Sequence, residues 1–181
     1  MMQKKLAEEN KEINLPRKYI YNDYINIYED QINEFKYLNI KTEQDIPNLM
    51  NIIERYFCAF LNSNNGVIYI GISDDGYIKG SDVELKTLKK FSESIKNLIE
   101  KFDPYVKENN LIKFFIRNVE YDKNDKINVI HGLYIIEIFV KMGKRNKIYC
   151  TPNEDECFIK NGTLRSLKGE KLFKYMKMKL K

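Results

Sequence analysis

The chain has 181 residues, of which 43% are hydrophobic and 31% charged, and its net charge is +5. This size and composition are typical of one soluble globular domain, and no stretch approaches the roughly 20 apolar residues of a membrane span. The charged N-terminus, "MMQKKLAEENKEINLPRK", is unlike a secretory signal. Three cysteines without CxxC spacing argue against a disulfide framework and a zinc site. We therefore expect a protein of a reducing compartment, cytoplasmic with the nucleus left open.

The N-terminal part is predicted to be a polar arm followed by extended chain. Residues 1–14 form the arm, and residues 15–181 are expected to form a single domain. The tyrosine-rich segment 15–28 has weak periodicity, which favours extended chain packed on the body. Residues 32–38, "INEFKYL", are typical of a short strand with Glu34 and Lys36 on one face and Phe35 on the other.

Two amphipathic helices are predicted next, with a buried strand between them. The first carries apolar residues at helical spacing from Leu49 to Leu61 and ends at "NSNNG". "VIYIGI" is the buried strand, and "DDGYIKG" is a turn into a short second strand. The second helix, capped by Ser81 or Asp82, is expected to stop at 103–104, "DP".

The C-terminal half is predicted to contain mainly strands. "NLIKFFIRNVEY" and "VIHGLYIIEIFV" are typical of two long strands, and shorter strands are expected near 147–150 and 156–160. A closing helix carries apolar residues on one side and lysines on the other. Together these elements indicate an α+β fold with a mixed, mainly antiparallel sheet packed with helices.

Four acidic residues are candidates for a site: Glu29, Glu34, Asp74 and Asp75. Glu29 and Glu34 are five residues apart, so on a straight strand they would point to opposite faces, and the chain must bend within "EDQIN" to bring them together. Converging carboxylates repel each other unless a cation such as Mg²⁺ or Mn²⁺ lies among them. Surface acids and turn formation remain the alternative explanation.

Basic and aromatic residues also indicate a polyanionic partner, but this signal is less specific than that of the four acidic residues. Residues 141–181 contain twelve lysines and arginines against four acids, which favours nucleic acid but equally suits a solvated helix face. Tyr37, Tyr77 and Tyr149 lie near turns and could stack on bases, although packing is the favoured interpretation.

Taken together, "EDQINEFK" and "CAFLNSNNGVIYIGISDDGYIKG" resemble the core domain of the Schlafen proteins and the related AlbA_2 modules. The family pattern is E-x4-EFK, a helix ending in AFxN, a Gly-Gly turn, a strand, G-[IV]-x-D-x-G and x-[IV]-x-G. The ending "CFIKNGTLRSLKGEKL" is similar to the family's closing strand and final helix. The likeness covers about residues 25–178, with Asn65 in place of the first glycine of the usual pair.

The resemblance implies a metal-dependent endoribonuclease that cuts tRNA or other structured RNA. Glu29, Glu34 and Asp74 would be the catalytic carboxylates and would hold Mg²⁺ or Mn²⁺, whereas Asp75 would begin the turn. Lys36 would lie beside the scissile phosphate. Structural zinc is not expected. Further RNA contacts are assigned to six other basic residues: Lys141, Lys144, Arg145, Lys147, Arg165 and Lys168.

Two other functions stay open at this point. The chain has a single lobe, whereas vertebrate members join two lobes into a trough, so a homodimer or a complex with a Schlafen-like chain would be needed to build one. One alternative is therefore a subunit or antagonist of such a partner. The other is a nucleic-acid-binding module without chemistry, because many relatives keep the fold without nuclease activity.

Overall fold

A mixed six-stranded sheet with two helices on one face forms the body of the protein. The computed structural model describes residues 18–102, 106, 111–123, 126–152 and 156–179. The sheet strands are β1 (Tyr19–Ile20), β2 (Asn33–Lys36), β3 (Gly66–Ile70), β4 (Ser81–Asp82), β5 (Ile112–Lys123) and β6 (Lys126–Val140). The helices are α1 (Ile46–Asn62), α2 (Leu85–Lys101) and α3 (Gly169–Lys179), and a separate hairpin contains β7 (Cys157–Asn161) and β8 (Thr163–Leu167).

The strand order confirms the predicted α+β fold with a mixed sheet. The order is β1-β5-β6-β3-β2, with β4 also paired to β6. The outer pairs β1–β5 and β2–β3 are parallel, whereas the pairs of β6 with β3, β4 and β5 are antiparallel. The apolar faces of α1 and α2 pack on one face of the sheet and form the larger core with residues such as Phe57, Phe91 and Ile138.

Three details differ from the sequence predictions. Ser81 and Asp82 do not cap the second helix, because they pair with β6 as β4, and α2 begins only after Glu84. Residues 147–150 form no strand. The segment after 156 forms a complete hairpin, β7–β8, rather than a single closing strand. The predicted arm, 1–14, and the predicted helix stop, 103–104, lie outside the described residues. No helix in the described part of the chain is long and apolar enough to cross a membrane.

A smaller apolar cluster covers the opposite face of the sheet. It includes Tyr19, Ile25, Phe35, Tyr69 and Ile135. Phe35 is therefore buried on this face, away from the side chains of Glu34 and Lys36, as its place in the strand predicted. The chain from β1 to β2 thus covers one face of the sheet and supplies polar side chains to the other.

Gly71, which follows β3, lies where the backbone has no room for a side chain. Its φ is +102°, and a Cβ atom would lie 2.9 Å from both the Tyr134 carbonyl oxygen and the Ser81 amide nitrogen. We expect Gly71→Ala to lower the free energy of unfolding by about 2–4 kcal/mol, since backbone strain and overpacking add. Chemical denaturation measures this loss. Gly162→Ala is the matched control, because Gly162 has φ +72° with nothing within 4 Å; an equal loss in both variants would contradict the predicted clash.

Glu137, near the C-terminal end of β6, carries a fully buried carboxyl group. The Tyr19 hydroxyl donates to its Oε1 at 2.6 Å, and the Arg117 Nε lies 3.6 Å from its Oε2. Burial raises the pKa of Glu137, and the contacts with Tyr19 and Arg117 offset only part of that effect. The group therefore favours folding most below its unfolded pKa of about 4.3, and this contribution is lost as the pH rises through the folded pKa.

Glu137→Gln is expected to remove this pH dependence, because glutamine keeps an acceptor for Tyr19 and carries no charge. The difference in unfolding free energy between the wild type and the variant should shift in favour of the variant as the pH rises from about 4 towards 8. Denaturation at matched pH values measures it. A difference that stays constant over this range would show that Glu137 has an ordinary pKa in the folded protein.

Candidate functional site

Glu34 of β2 is the centre of the candidate site. Its side chain is buried on the face that meets α1. The Lys36 ammonium group donates to Oε1 at 2.5 Å, the Tyr56 hydroxyl donates to the same oxygen, and the Lys160 ammonium group donates to Oε2. Both carboxylate oxygens therefore accept a hydrogen bond from a lysine ammonium group, and Oε1 accepts a second one from Tyr56.

These donors decide the charge of Glu34. Burial alone would raise its pKa, but the hydrogen bonds from Lys160, Lys36 and Tyr56 outweigh it and leave the pKa below its usual value. Lys160 is itself buried, with its ammonium group 5.7 Å from the centroid of the Tyr56 ring and 6.0 Å from that of Phe60. Glu34 is thus held as a carboxylate by a buried lysine and a half-buried one.

Glu29 reaches this centre because the chain turns back between the two glutamates. Asp30 Oδ1 accepts from the amides of Ile32 and Asn33, both at 2.8 Å, which produces the bend that the odd spacing requires. Glu29 Oε1 then accepts from the Phe35 amide at 3.1 Å and lies 3.8 Å from the Lys36 ammonium nitrogen.

The environment of Glu29 has the opposite effect to that of Glu34. Burial raises the pKa of Glu29, the hydrogen bond from the Phe35 amide offsets part of this, and the neighbouring Glu34 carboxylate raises it further. Lys36 contacts both carboxylates and is the cation that lets them lie close together. Two glutamates with pKa values shifted in opposite directions are typical of a functional site.

Asp74 lies in the turn after β3, with its side chain exposed. Its charge reaches the same centre: after burial and the hydrogen bond to Glu34, the negative charges of Glu29 and Asp74 also raise the pKa of Tyr56. Asp75 has a different role, because its Oδ1 accepts from the Ser73 hydroxyl at 2.5 Å within the turn. The structure thus joins Glu29 and Glu34 through their contacts with Lys36, whereas Asp74 is linked to Tyr56 through its charge alone.

The donor types at this centre fit a hard divalent cation, but their positions do not form a finished ligand set. Within the described residues, no three His, Cys, Asp or Glu side chains are close enough together to hold a metal ion. Both oxygens of Glu34 also accept from lysine ammonium groups. A cation at Glu34 would therefore have to displace Lys36, the more exposed of the two lysines.

The basic residues predicted to contact RNA lie at the surface. The loop residues Lys141, Lys144, Arg145 and Lys147 are exposed, as are Arg165 in β8 and Lys168 before α3. The loop is anchored, since the Gly143 amide donates to the Leu61 carbonyl at 2.8 Å. Lys168 forms an ion pair with Glu156. Among the predicted basic residues, it is Lys36 for which the structure shows direct contacts with two of the predicted carboxylates.

Two residues of the centre, Tyr56 and Lys160, were not identified from the sequence. Tyr56 fits the apolar stripe of α1, so its hydroxyl gave no separate signal. Lys160 follows Phe158 by two residues in "CFIKNG", and strand alternation places both side chains on the same, buried face. A lysine at a core-facing strand position was the available signal, because such a charge is rarely buried without a partner.

The chain matches a family model and is similar in structure to several solved proteins. The family model for Schlafen, AlbA_2 matches residues 29–166, which contain the whole centre. A crystal structure of the DIP2311 protein from Corynebacterium diphtheriae is similar at 13% sequence identity and a TM-score of 0.49. That likeness covers 82% of this chain, which spans only 24% of the DIP2311 chain.

Proposed function

Because the chain belongs to the Schlafen family through its AlbA_2 domain, we propose that it is a metal-dependent endoribonuclease acting on tRNA or other structured RNA. Membership of this family supports a nucleic-acid-related role. The proposal of cleavage is supported above all by Lys36, which lies between the carboxylates of Glu29 and Glu34. A lysine in that position can replace its ion pair with a carboxylate by an ion pair with a phosphate oxygen of the RNA.

Each residue of the centre has a distinct part in the proposed reaction. Glu29, Glu34 and Asp74 would hold Mg²⁺ or Mn²⁺, which when bound would supply an activated water and charge stabilisation at the phosphate. Tyr56 and Lys160 orient Glu34 and keep it ionised. Once the Lys36 ammonium group is displaced from Glu34, it would bind the scissile phosphate. The exposed lysines of the 141–147 loop would contact flanking phosphates.

The test is incubation of the wild-type protein with total tRNA in Mn²⁺, Mg²⁺ or EDTA, followed by gel separation. The proposal predicts discrete fragments in at least one metal and none in EDTA. Fragments that persist in EDTA would contradict the metal requirement. Intact tRNA in all three conditions, with RNA bound to the protein, would favour the second candidate function.

That second candidate is a nucleic-acid-binding module without chemistry. It is favoured by the ion pairs of Glu34 with Lys36 and Lys160. These two ammonium groups already occupy both oxygens of the carboxylate that a catalytic metal would need. The exposed basic loop would then supply most of the affinity for RNA phosphates.

Charge reversal in that loop is expected to weaken RNA binding under either function. The triple variant Lys141→Glu, Lys144→Glu, Arg145→Glu should lower the affinity at least about tenfold at low salt and flatten its salt dependence, because fewer counterions are released. Fluorescence anisotropy across a salt series measures both. The control reverses three exposed lysines of α2, Lys89, Lys96 and Lys101, so that the net charge changes by the same amount. Equal losses in the two variants would show that only net charge matters and that the loop is not the binding surface.

A further inference from the structure

Four exposed tyrosines lie on the two chain segments that also carry Glu29 and Asp74. We propose that this surface, the tyrosine platform (Tyr21, Tyr24, Tyr28 and Tyr77), binds unpaired nucleobases of the RNA next to the cut position. The proposal rests on the proposed function and names the substrate feature it requires, a single-stranded or unstacked segment. The exposed fractions are 40% for Tyr21, 39% for Tyr24, 73% for Tyr28 and 42% for Tyr77.

Three of the four rings of the platform contact one another, and Tyr24 is the ring in the middle. The Tyr24 ring lies edge-to-face with Tyr28 at 6.1 Å between centroids and with Tyr77 at 5.9 Å. The backbone supports this arrangement, because Tyr24 and Tyr77 form an antiparallel bridge and the Ile25 amide donates to the Gly76 carbonyl at 3.0 Å. The platform is therefore ordered before any ligand arrives, and little entropy is lost on binding.

Gly76 makes this packing possible. A Cβ atom there would lie 2.6 Å from Cε2 of the Tyr24 ring, so the backbone at Gly76 packs directly against this ring. The turn that carries Asp74 and the ring of Tyr24 are thus parts of one packed unit.

A lysine adds positive charge within the platform. The Lys79 ammonium nitrogen lies 5.6 Å from the centroid of the Tyr77 ring and 6.0 Å from that of Tyr21, and it donates to the Asn22 side chain at 2.8 Å. Aromatic faces beside a cation are the combination with which proteins bind single-stranded nucleic acid, since bases stack on the rings and the cation attracts the phosphates. A purely apolar partner would gain nothing from this charge.

The position of the platform assigns it to the nucleotides near the cut. Tyr28 immediately precedes Glu29, and Tyr77 follows Asp74 by three residues. The platform and two of the three carboxylates therefore lie on the same two segments, 21–29 and 74–79. Bases within a duplex have both faces stacked on their neighbours, so the platform favours single-stranded RNA over double-stranded RNA.

The chain allows a direct test, because it contains 13 tyrosines and no tryptophan, so its intrinsic emission comes from tyrosine. The probe is fluorescein-labelled oligouridylate, compared with an RNA duplex of equal length, in EDTA so that no cleavage is needed. We expect oligouridylate to quench tyrosine emission. Tyr28→Ala and Tyr77→Ala should each lower the affinity for oligouridylate about fivefold or more. Tyr28→Phe and Tyr77→Phe, which keep the ring, should stay within about twofold of the wild type.

Tyr121→Ala is the matched control, because Tyr121 on β5 is exposed to the same degree as Tyr24 but lies outside the platform. Its affinity for oligouridylate should be that of the wild type, and affinity for the duplex should be unchanged in every variant. Unchanged binding in the alanine variants, an equal loss in Tyr121→Ala, or no binding of oligouridylate by the wild type would overturn the proposal. Alanine variants that alter sedimentation instead of RNA affinity would also overturn it and indicate a protein interface.

This test separates the platform from the nuclease. Stacking measured in EDTA with no cleavage in any metal would leave the platform standing and reject the proposed function. Metal-dependent cleavage with no effect of the alanine variants on binding or cutting would do the reverse.

Discussion

Glu34→Gln is expected to destabilise the protein by about 3–5 kcal/mol, in addition to abolishing cleavage. The substitution removes the negative charge that the buried Lys160 ammonium group contacts, and a buried charge left without its partner is strongly destabilising. Chemical denaturation of the RNA-free protein measures the loss. A variant as stable as the wild type would show that Lys160 finds solvent or another partner.

The double variant Glu34→Gln, Lys160→Met is the control for this effect. Methionine has a similar length and no charge, so the double variant should recover much of the stability lost in Glu34→Gln. It should still fail to cleave RNA, because the carboxylate is absent. Recovery of stability without recovery of cleavage would separate the structural role of Glu34 from its catalytic one.

Asp74→Asn is expected to reduce RNA cleavage by about a hundredfold or more, whereas Asp75→Asn should change it only a few-fold. The two acids are adjacent and both exposed, but the charge of Asp74 raises the pKa of Tyr56, whereas Asp75 accepts a hydrogen bond within its own turn. Initial cleavage rates of tRNA in Mn²⁺ measure both variants. RNA affinity in EDTA should be close to that of the wild type in each, which shows that the fold is intact.

The comparison also has a clear negative outcome. If Asp75→Asn lost cleavage and Asp74→Asn kept it, the assignment of the third carboxylate would be wrong. If both variants cut at the wild-type rate, neither acid belongs to a reactive centre.

Local patterns were enough to predict the parts of the site that lie close together in the chain. Strand alternation placed Glu34 and Lys36 on one face and Phe35 on the other, and the structure confirms this arrangement. The odd spacing of Glu29 and Glu34 required a bend, and Asp30 provides it by accepting from two backbone amides. These features depend on a few consecutive residues, whose geometry is fixed by backbone periodicity.

Contacts between distant segments could not be predicted in this way. Lys160 lies 126 residues after Glu34, and only the docking of the β7–β8 hairpin on α1 brings the two charges together. Ser81 and Asp82 look like helix caps by residue type, but the long strand β6 recruits them into the sheet. Local propensity was overridden in each case by a tertiary pairing.

The tyrosines show the same limit. Packing was the favoured interpretation for Tyr37, Tyr77 and Tyr149. Tyr149 is buried as that interpretation predicts, whereas Tyr37 and Tyr77 are exposed, Tyr77 beside Tyr24. A turn residue does not reveal from its sequence whether a core or solvent lies on its outer side. For Tyr77, the environment of the ring is set by segment 21–28, whose Tyr24 packs beside it.

The measurement that tests the central claim most directly is binding of Mn²⁺ to the metal-free protein, with unbound Mn²⁺ quantified by electron paramagnetic resonance. The claim is that Glu29, Glu34 and Asp74 act as one cation-binding centre once Lys36 is displaced. It predicts one Mn²⁺ site per chain in the wild type and in Asp75→Asn, and at least about tenfold weaker binding in Glu29→Gln and Asp74→Asn. Equal Mn²⁺ binding in all four proteins, or none in the wild type with RNA present, would contradict it.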